Sequence, residues 1–261
     1  MRIGIIGMAG RMGRLLAEEA AAAGHGLAGG TVSPGSASPG SATASPGGLP
    51  LFPDVTALAA ACDVVIDFTH ASIAARHAEA LAAAGTPWVL GTSGLSAAAE
   101  AAVAQAATRI AVVYAANFAP GSTLLLALAE QMAAALPAEA YDAEILEMHH
   151  RQKVDAPSGT AVGLGRAVAR GRGVRLEDVT ESGRDGHTGP RKPGAIGFAA
   201  LRGGQVVGEH TLLFAGASEH IALTHRAFDR RVFATGAIRA AGWVAGRAPG
   251  LYNMRDVLGM R

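Results

Sequence analysis

The chain has 261 residues and a formal net charge of +1; half of its residues are hydrophobic and 16 % are charged. This composition builds a core and excludes a disordered chain, and the small net charge gives no bulk attraction to nucleic acid or to an anionic membrane. The single cysteine, Cys62, excludes an internal disulfide and a thiolate metal cluster. No apolar run is long enough for a signal peptide or a transmembrane span, so we expect a cytoplasmic protein that binds neither nucleic acid nor membrane.

The first 114 residues alternate short apolar runs with alanine-rich stretches of helical length. This alternation predicts βαβ units, a parallel sheet and helices on both of its faces. The predicted strands are Arg2–Gly7, Leu27–Val32, Asp63–Phe68, Pro87–Leu90 and Ile110–Tyr114, and the predicted helices are Arg11–Ala23, Asp54–Ala61, Ser72–Ala84 and Ser96–Ala107. The segment Ser33–Pro50 is almost entirely Ser, Pro, Gly and Ala, which predicts an exposed loop.

The pattern changes after Tyr114 and predicts an α+β domain with a mainly antiparallel, mixed sheet. The predicted strands of this part are Tyr141–His149, Ala195–Arg202, Gln205–Phe214 and Glu219–His225, and its predicted helices are Ser122–Leu136, Ser158–Arg170 and Arg230–Ala245. Gly203 and Gly204 separate two of these strands and predict a two-residue hairpin between them. The expected fold class is therefore α/β, with a parallel-sheet domain followed by the α+β domain.

A glycine cluster, Gly7–Gly13, follows the first strand and opens the first helix. Glycines at this junction allow a tight turn and let a pyrophosphate approach the backbone N–H groups of the helix N-terminus. A plain βα turn is the alternative interpretation. The acidic residue expected about 20 positions later, on the ribose hydroxyls, is missing, because Ser33 follows the second strand. Together with Arg11 and Arg14 in the helix, this favours NADPH over NADH and leaves both open.

Two further groups lie directly after predicted parallel strands, Gly91–Gly94 and Ala116–Phe118. Ligands of open α/β sheets bind at the carboxyl ends of the strands. Either segment alone is explained equally well as an ordinary loop without a ligand.

The most informative segment is Glu147–Thr160. His149 ends a strand and suits a general acid, because a histidine titrates near neutrality. Lys153 is one of two lysines beside 20 arginines, and its compact ammonium follows that strand. The run Ser158–Thr160 starts a helix, where hydroxyls and free N–H groups suit a carboxylate. The alternative interpretation is structural: two histidines at a strand end with their hydrogen bonds made, followed by a capped helix. The spacing of His149 and His150 does not suit metal ligands, so we expect no metal.

Taken together, these motifs resemble those of the dihydrodipicolinate reductase (4-hydroxy-tetrahydrodipicolinate reductase) family. The resemblance is most specific in His149-His150-x-x-Lys153-x-Asp155-Ala156-Pro157-Ser158-Gly159-Thr160-Ala161, and it extends over essentially the whole chain. The other matching motifs are Gly7–Gly13, Asp67–Thr69, Gly91–Gly94, Ala116–Phe118, Ile196–Phe198, Gly208–Thr211 and Met254–Leu258.

The resemblance implies an NAD(P)H-dependent oxidoreductase that reduces a conjugated cyclic dicarboxylate to tetrahydrodipicolinate, in lysine and diaminopimelate biosynthesis. It implies that His149 is the general acid and that Lys153 binds a substrate carboxylate and supports the protonation. The implied substrate-binding residues are His150, Lys153, Ser158, Gly159 and Thr160. The implied cofactor-binding residues are Gly7, Met8, Ala9, Gly10, Arg11, Met12, Gly91, Thr92, Ser93, Ala115, Asn117, Phe118 and Arg239. We also expect Ser33, after the second strand, to contact the cofactor.

The resemblance also implies a domain organisation. Residues 1–119 with 231–261 would form a Rossmann-type dinucleotide-binding domain, and residues 120–230 would form a substrate-binding and oligomerisation domain. Nicotinamide and substrate would meet in the cleft between them, and four chains would assemble into a homotetramer through the second sheet. The chain departs from the family pattern at Ser33, where relatives often have an acid, and at His70, where they often have a basic or small residue.

Two other functions stay open from the residues alone. A different two-domain NAD(P) oxidoreductase, such as a semialdehyde dehydrogenase, would need a nucleophilic cysteine, and Cys62 lies far along the chain from the acid and the cation. A non-catalytic nucleotide sensor would have no use for His149 and Lys153.

Overall fold

The computed structural model describes residues 1–32 and 48–260. The predicted loop Ser33–Pro50 lies for the most part outside the described residues, as does the predicted cofactor residue Ser33. The chain divides into two compact units, one formed by Met1–Pro120 with the C-terminal segment from Arg231 onward, the other by Gly121–Arg230. Within the described residues, no helix is both long and apolar enough to cross a lipid bilayer.

The helices and strands follow the predicted order closely. The strands are β1 (Arg2–Ile6), β2 (Gly26–Thr31), β3 (Val64–Asp67), β4 (Trp88–Leu90), β5 (Ala111–Tyr114), β6 (Asp142–His149), β7 (Thr180–Ser182), β8 (Ile196–Arg202), β9 (Gly208–Ala215), β10 (His220–Ala227) and β11 (Gly250–Tyr252). The helices are α1 (Arg11–Ala22), α2 (Val55–Ala59), α3 (Ala74–Ala84), α4 (Ala97–Ala107), α5 (Pro120–Ala135), α6 (Gly159–Gly171), α7 (Leu176–Val179), α8 (Arg231–Val244) and α9 (Met254–Val257).

The first unit contains a six-stranded sheet in the order β11-β5-β4-β3-β1-β2, and every neighbouring pair runs parallel. Successive residues of a strand point to opposite faces, so both faces carry core residues. Val64 and Ile66 pack into a cluster with side chains of α1 and α8, whereas Val65 packs into a second cluster with Leu58 and Trp88. The predicted parallel sheet with helices on both faces is confirmed. The short strand β11 was not predicted, because its three residues directly follow Pro249 and show no pattern of their own.

The second unit contains a five-stranded sheet in the order β10-β9-β6-β8-β7. The pairs β10–β9 and β9–β6 are antiparallel, and the pairs β6–β8 and β8–β7 are parallel, so the sheet is mixed as predicted. One face packs against α5 and α6, with Ile145, Leu212 and Phe214 in the cluster. On the opposite face Leu146 and Leu201 remain about half exposed.

The predicted hairpin at Gly203 and Gly204 is wrong. Strand β6 lies between β8 and β9, so the two strands on either side of the glycines are not neighbours. The N–H of Gly203 donates to the carbonyl of His149, and the carbonyl of Gly204 accepts from Arg151. The glycine pair therefore continues the ladder between β8 and the end of β6. A pattern of turn residues indicates where a strand ends, but it does not indicate which other strand that strand pairs with.

Two glycines explain the close turn between β1 and α1. Gly7 has φ of 76°, a left-handed backbone conformation that favours glycine. Gly13 lies in the first turns of α1, where a Cβ would collide with the backbone of Gly7 and Met8. The helix therefore lies directly against the turn that precedes it, and this contact requires a hydrogen in place of a side chain.

We expect Gly13→Ala to lower the free energy of unfolding by about 1–3 kcal/mol, because the added methyl forces α1 away from the turn. The matched control is Gly242→Ala in α8, an exposed helical glycine whose added Cβ would lie 3.8 Å from the nearest atom, Cε of Met1. This control should be neutral or stabilising by about 0.5–1 kcal/mol, because alanine is the better helix former. Urea unfolding of both variants checks the difference, and equal stabilities would contradict the packing argument.

Candidate active site

The turn between β1 and α1 presents backbone N–H groups. The N–H groups of Gly7 and Met8 both donate to the carbonyl of Thr31, at 3.0 Å, which ties the turn to the end of β2. Gly10 is the N-cap of α1; in the described part of the chain α1 has neither a capping side-chain hydrogen bond nor an acidic residue in its first turn. The first N–H groups of a helix have no intrahelical partner and favour an anion. The turn therefore fits the pyrophosphate of a dinucleotide.

The ends of β3, β4 and β5 lie side by side at the same edge of the sheet. The N–H of Gly91 donates to the carbonyl of Asp67 at 2.8 Å, and the hydroxyl of Thr92 donates to the carbonyl of Thr69 at 3.1 Å. The N–H of Ala115 donates to the carbonyl of Leu90 at 3.2 Å. Predicted cofactor residues from two separate loops are thus joined at one edge, which is where ligands of open α/β sheets bind.

Buried side chains hold these loops in place. Asp67 is fully buried; its Oδ2 lies 2.7 Å from Nδ1 of His77, and its Oδ1 accepts from the backbone N–H and the hydroxyl of Thr69. The rings of Phe68 and Phe118 pack with their centroids 5.4 Å apart. These buried contacts hold the loops after β3 and β5 in place.

A cavity of about 280 Å³ opens beside this edge of the first unit. The polar and glycine residues that line it are Gly7, Thr31, Asp54, Thr56, Thr69, Arg76 and His77. The carboxylate of Asp54 caps α2 by accepting from the N–H of Ala57 at 2.8 Å. Arg76 brings a cation to the cavity from α3, and it belongs to none of the motifs found in the sequence.

The other predicted cofactor residues take varied positions. Gly7–Gly10 form the turn and Arg11 and Met12 begin α1; Met8 is buried and Arg11 is exposed. Ser93 is exposed, and the side chain of Asn117 accepts from the N–H of Ala119. Arg239 is exposed on α8, one turn after Gly236, whose Cα lies against the backbone of Phe118. The cofactor contacts of these residues, and of Ser33 outside the described range, stay predictions.

In the second unit, strand β6 carries His149 at its end. The residues of β6 alternate in burial, so that Ala143, Ile145, Glu147 and His149 share the buried face. Nδ1 of His149 lies 2.6 Å from Oε2 of Glu147, two residues earlier on the same face. Burial lowers the pKa of His149, and the hydrogen bond and negative charge of Glu147 oppose that shift without reversing it.

Glu147 is 1 % exposed and accepts four hydrogen bonds. Its Oε2 accepts from His149 and from Nη1 of Arg202 at 2.8 Å; its Oε1 accepts from Nη2 of Arg202 at 2.8 Å and from the N–H of Ser158 at 3.0 Å. Burial raises the pKa of Glu147, but the hydrogen bonds from Arg202, His149 and Ser158 outweigh it and hold that pKa below its usual value. Glu147 is therefore a charged group at neutral pH.

His210 of β9 adds a second buried imidazole. Its ring meets that of His149 edge to face, with centroids 5.1 Å apart, and its Nε2 lies 2.9 Å from the hydroxyl of Ser158. Burial, followed by the neighbouring His149, lowers the pKa of His210 to about 4. His210 is therefore neutral near pH 7 and is a partner of Ser158 rather than a proton donor.

The structure gathers most of the predicted substrate residues around His149. Ser158 caps α6 by accepting from the N–H of Ala161, and Gly159 and Thr160 form the first turn. Nζ of Lys153 contacts both carboxylate oxygens of Asp155, at 2.7 and 2.8 Å. His150 lies just beyond β6, and its buried Nδ1 has no hydrogen-bond partner among the described residues.

Three residues of this site were not predicted: Glu147, Arg202 and His210. Glu147 had a signal in the sequence, because residues two apart on a strand share a face. Arg202 and His210 come from strands that are distant in sequence and lie next to β6 only in the folded sheet.

Cys62 does not have the surroundings of a nucleophile. Its thiol donates to the carbonyl of Leu58 at 3.1 Å, and burial raises its pKa to about 11. The thiolate is the nucleophilic form of cysteine. This thiol therefore argues against the acyl-transfer chemistry of a semialdehyde dehydrogenase.

Known proteins match the chain over its full length. Family profiles described as the N-terminus and the C-terminus of dihydrodipicolinate reductase match residues 1–118 and 121–258. A protein of Granulibacter bethesdensis named 4-hydroxy-tetrahydrodipicolinate reductase is 69 % identical over 100 % of this chain and 98 % of its own length. A protein of the same name from Acidiphilium cryptum is 61 % identical with the same coverage.

Solved structures show the same fold. The dipicolinate-bound dihydrodipicolinate reductase from Paenisporosarcina sp. TG-14 superposes with a TM-score of 0.76, at 24 % identity and over 97 % of both chains. The structural likeness shows the fold, and the profile matches and full-length identities show the family. The chain belongs to the dihydrodipicolinate reductase family.

Proposed function

We propose that this protein is a 4-hydroxy-tetrahydrodipicolinate reductase, which reduces a cyclic dicarboxylate to tetrahydrodipicolinate in lysine and diaminopimelate biosynthesis. The observation that carries this proposal is the group around the end of β6. There His149, Lys153 and the N-terminal turn of α6 provide a proton donor, a cation and an anion-binding turn within one short segment. The names of the full-length relatives support the same activity.

The chain's own residues have distinct roles in this reaction. Lys153 and the turn Ser158–Thr160 bind the two carboxylates, because an ammonium and a helix N-terminus both favour negative charge. A bound reduced nicotinamide would supply the hydride that is added to C4 of the conjugated ring, which forms when the hydroxylated precursor loses water. His149 in its imidazolium form gives the proton that completes the reduction. The negative charge of the bound dicarboxylate raises the pKa of His149 and so offsets the effect of its burial.

For the cofactor, we infer that the chain uses NADPH or NADH and prefers NADPH. Arg11 at the start of α1 and Arg76 at the cavity are cations suited to a 2′-phosphate. Asp54 is the acidic residue that lines this cavity within the described residues, and it already caps α2. An acid placed to bind the ribose hydroxyls would repel that phosphate.

The remaining parts of the proposal concern assembly and location. We infer a cytoplasmic homotetramer, with residues 1–119 and 231–261 binding the dinucleotide and residues 120–230 binding substrate and forming the oligomer. The half-exposed Leu146 and Leu201 lie on the sheet face that α5 and α6 leave uncovered, and apolar side chains of this kind suit a contact between subunits.

The activity is tested by following the oxidation of NADPH and NADH with substrate made in the same cuvette from pyruvate and aspartate semialdehyde by the preceding synthase. We expect rapid oxidation that requires the synthase, with a higher kcat/KM for NADPH. Pyridine-2,6-dicarboxylate should bind together with the cofactor and inhibit. Folded protein that binds NADPH but oxidises neither cofactor would contradict the proposed reaction and favour a nucleotide sensor.

We expect His149→Ala to lower kcat by about two to four decades, because general acid catalysis contributes that much. The Kd for NADPH should stay unchanged, since His149 lies in the second unit. His220→Ala is the matched control, because His220 is an exposed histidine at the start of β10. Steady-state kinetics and cofactor fluorescence measure the two quantities, and a wild-type kcat in the His149 variant would remove its assigned role.

We expect Arg76→Ala to raise the KM for NADPH about tenfold, because the variant loses one charge-assisted hydrogen bond to the 2′-phosphate. The KM for NADH should stay unchanged. The control is Arg109→Ala, which removes an exposed arginine of the same unit just after α4. Separate titrations with each cofactor measure the effect. Equal increases for NADPH and NADH would show that Arg76 does not distinguish the 2′-phosphate.

A further inference from the structure

We propose that Glu147 is the positioning residue of this site: its buried carboxylate fixes the tautomer of His149 and holds the N-terminus of α6 and the loop of Lys153 around it. This inference rests on the proposed reductase function. The four hydrogen bonds to Glu147 come from three different elements, β6, β8 and the start of α6. One side chain therefore determines where the proton donor and the anion-binding turn lie relative to each other.

The hydrogen bond to Glu147 decides which nitrogen of His149 is available. An ionised carboxylate only accepts hydrogen bonds, so Nδ1 of His149 carries a hydrogen and donates to Oε2. In neutral His149 the second nitrogen, Nε2, is then unprotonated. This nitrogen gains the proton that the general acid later gives away.

The second nitrogen, Nε2, lies beside Gly208, which has no side chain. A Cβ at Gly208 would lie 3.0 Å from Nε2, so any other residue at the start of β9 would crowd this atom. Across residues 1–32 and 48–260, Nε2 of His149 makes no hydrogen bond. One nitrogen of His149 is thus occupied by Glu147, and the other has no hydrogen-bond partner among the described residues.

Arg202 extends the influence of Glu147 to the loop that carries Lys153. Its guanidinium binds both oxygens of Glu147 in a bidentate pair and also donates to the carbonyl of Asp155 at 2.7 Å. Asp155 in turn holds the ammonium of Lys153. The cation of the site is therefore linked to the carboxylate through the backbone of its own loop.

The charged and titratable groups around His149 are Glu147 on the same strand, Arg202 from β8, His210 from β9 and Lys153 from the following loop. Burial lowers the pKa of His149 most, and Lys153 and Arg202 lower it further. The group that raises this pKa is Glu147. Without its charge the imidazolium form would be rarer at neutral pH.

The test is Glu147→Gln, compared with Glu144→Gln on the same strand. Glu144 also binds two arginines, Arg184 and Arg191, but none of its partners within the described residues is a histidine. Because each oxygen of Glu147 accepts from two donors, a glutamine would place its amide against at least two of them. We expect kcat to fall about ten- to a hundredfold in the Glu147 variant, within the range of general acid catalysis. The Glu144 variant should stay within about a factor of two.

The pH profile separates positioning from stability. The rate requires imidazolium, so kcat falls as the pH rises through the pKa of His149. Loss of the Glu147 charge lowers that pKa, and we expect the fall to move about one unit toward acid in E147Q and not in E144Q. In a His149→Ala background, E147Q should lower kcat by less than about threefold, because both changes remove the same proton transfer. Fully additive losses, or an unmoved profile, would overturn the proposal.

A spectroscopic measurement tests the role of Glu147 without relying on catalytic activity. Imidazole ¹⁵N spectra should show His149 with hydrogen on Nδ1 in the wild type and a mixture of tautomers in E147Q. An unchanged tautomer would overturn the positioning role even if kcat fell. If the wild type fails to oxidise NADPH with the synthase product, the proposed reaction fails, and the spectra still decide whether Glu147 fixes the ring.

Discussion

A carboxylate that is removed from water keeps its charge only when protein groups satisfy its oxygens. The arrangement of the second unit around Glu147 meets this requirement. Arg202 neutralises the charge, and His149 and the N–H of Ser158 complete the set of donors. Each of these groups also belongs to the site or to its support, so the need to satisfy one buried charge arranges a proton donor and an anion-binding turn together.

The first unit also contains a buried carboxylate next to a histidine, and there it supports a loop. Asp67 is buried at the end of β3 and, like Glu147, lies close to Nδ1 of a histidine, His77. Its second oxygen accepts from the backbone N–H and the hydroxyl of Thr69, at the edge where Gly7 and Thr92 also lie. A rigid edge favours binding of a large flexible cofactor, because less of the protein has to be ordered when the cofactor arrives.

Much of the fold follows from the sequence because its signals are local. The turn at Gly7, the helix start at Ser158 and the alternating runs of the first unit each depend on neighbouring residues, and the structure has all of them. The hairpin at Gly203 failed because strand pairing is a property of the whole sheet. For the site, the segment His149–Thr160 was recognisable. Arg202 was not, and His210 lay in the matching motif Gly208–Thr211 without an assigned role, because only the insertion of β6 between β8 and β9 brings both residues to the site.

Strand β6 also limits how this protein can change during evolution. Ala143, Ile145, Glu147 and His149 occupy successive positions on one face, apolar at one end and polar at the other. The insertion or deletion of one residue before His149 would turn its side chain, together with that of every residue on one side of the change, to the opposite face of the sheet. The packing of Ile145 in the core therefore fixes the register of the chemical groups, and selection for stability alone already preserves the geometry of the site.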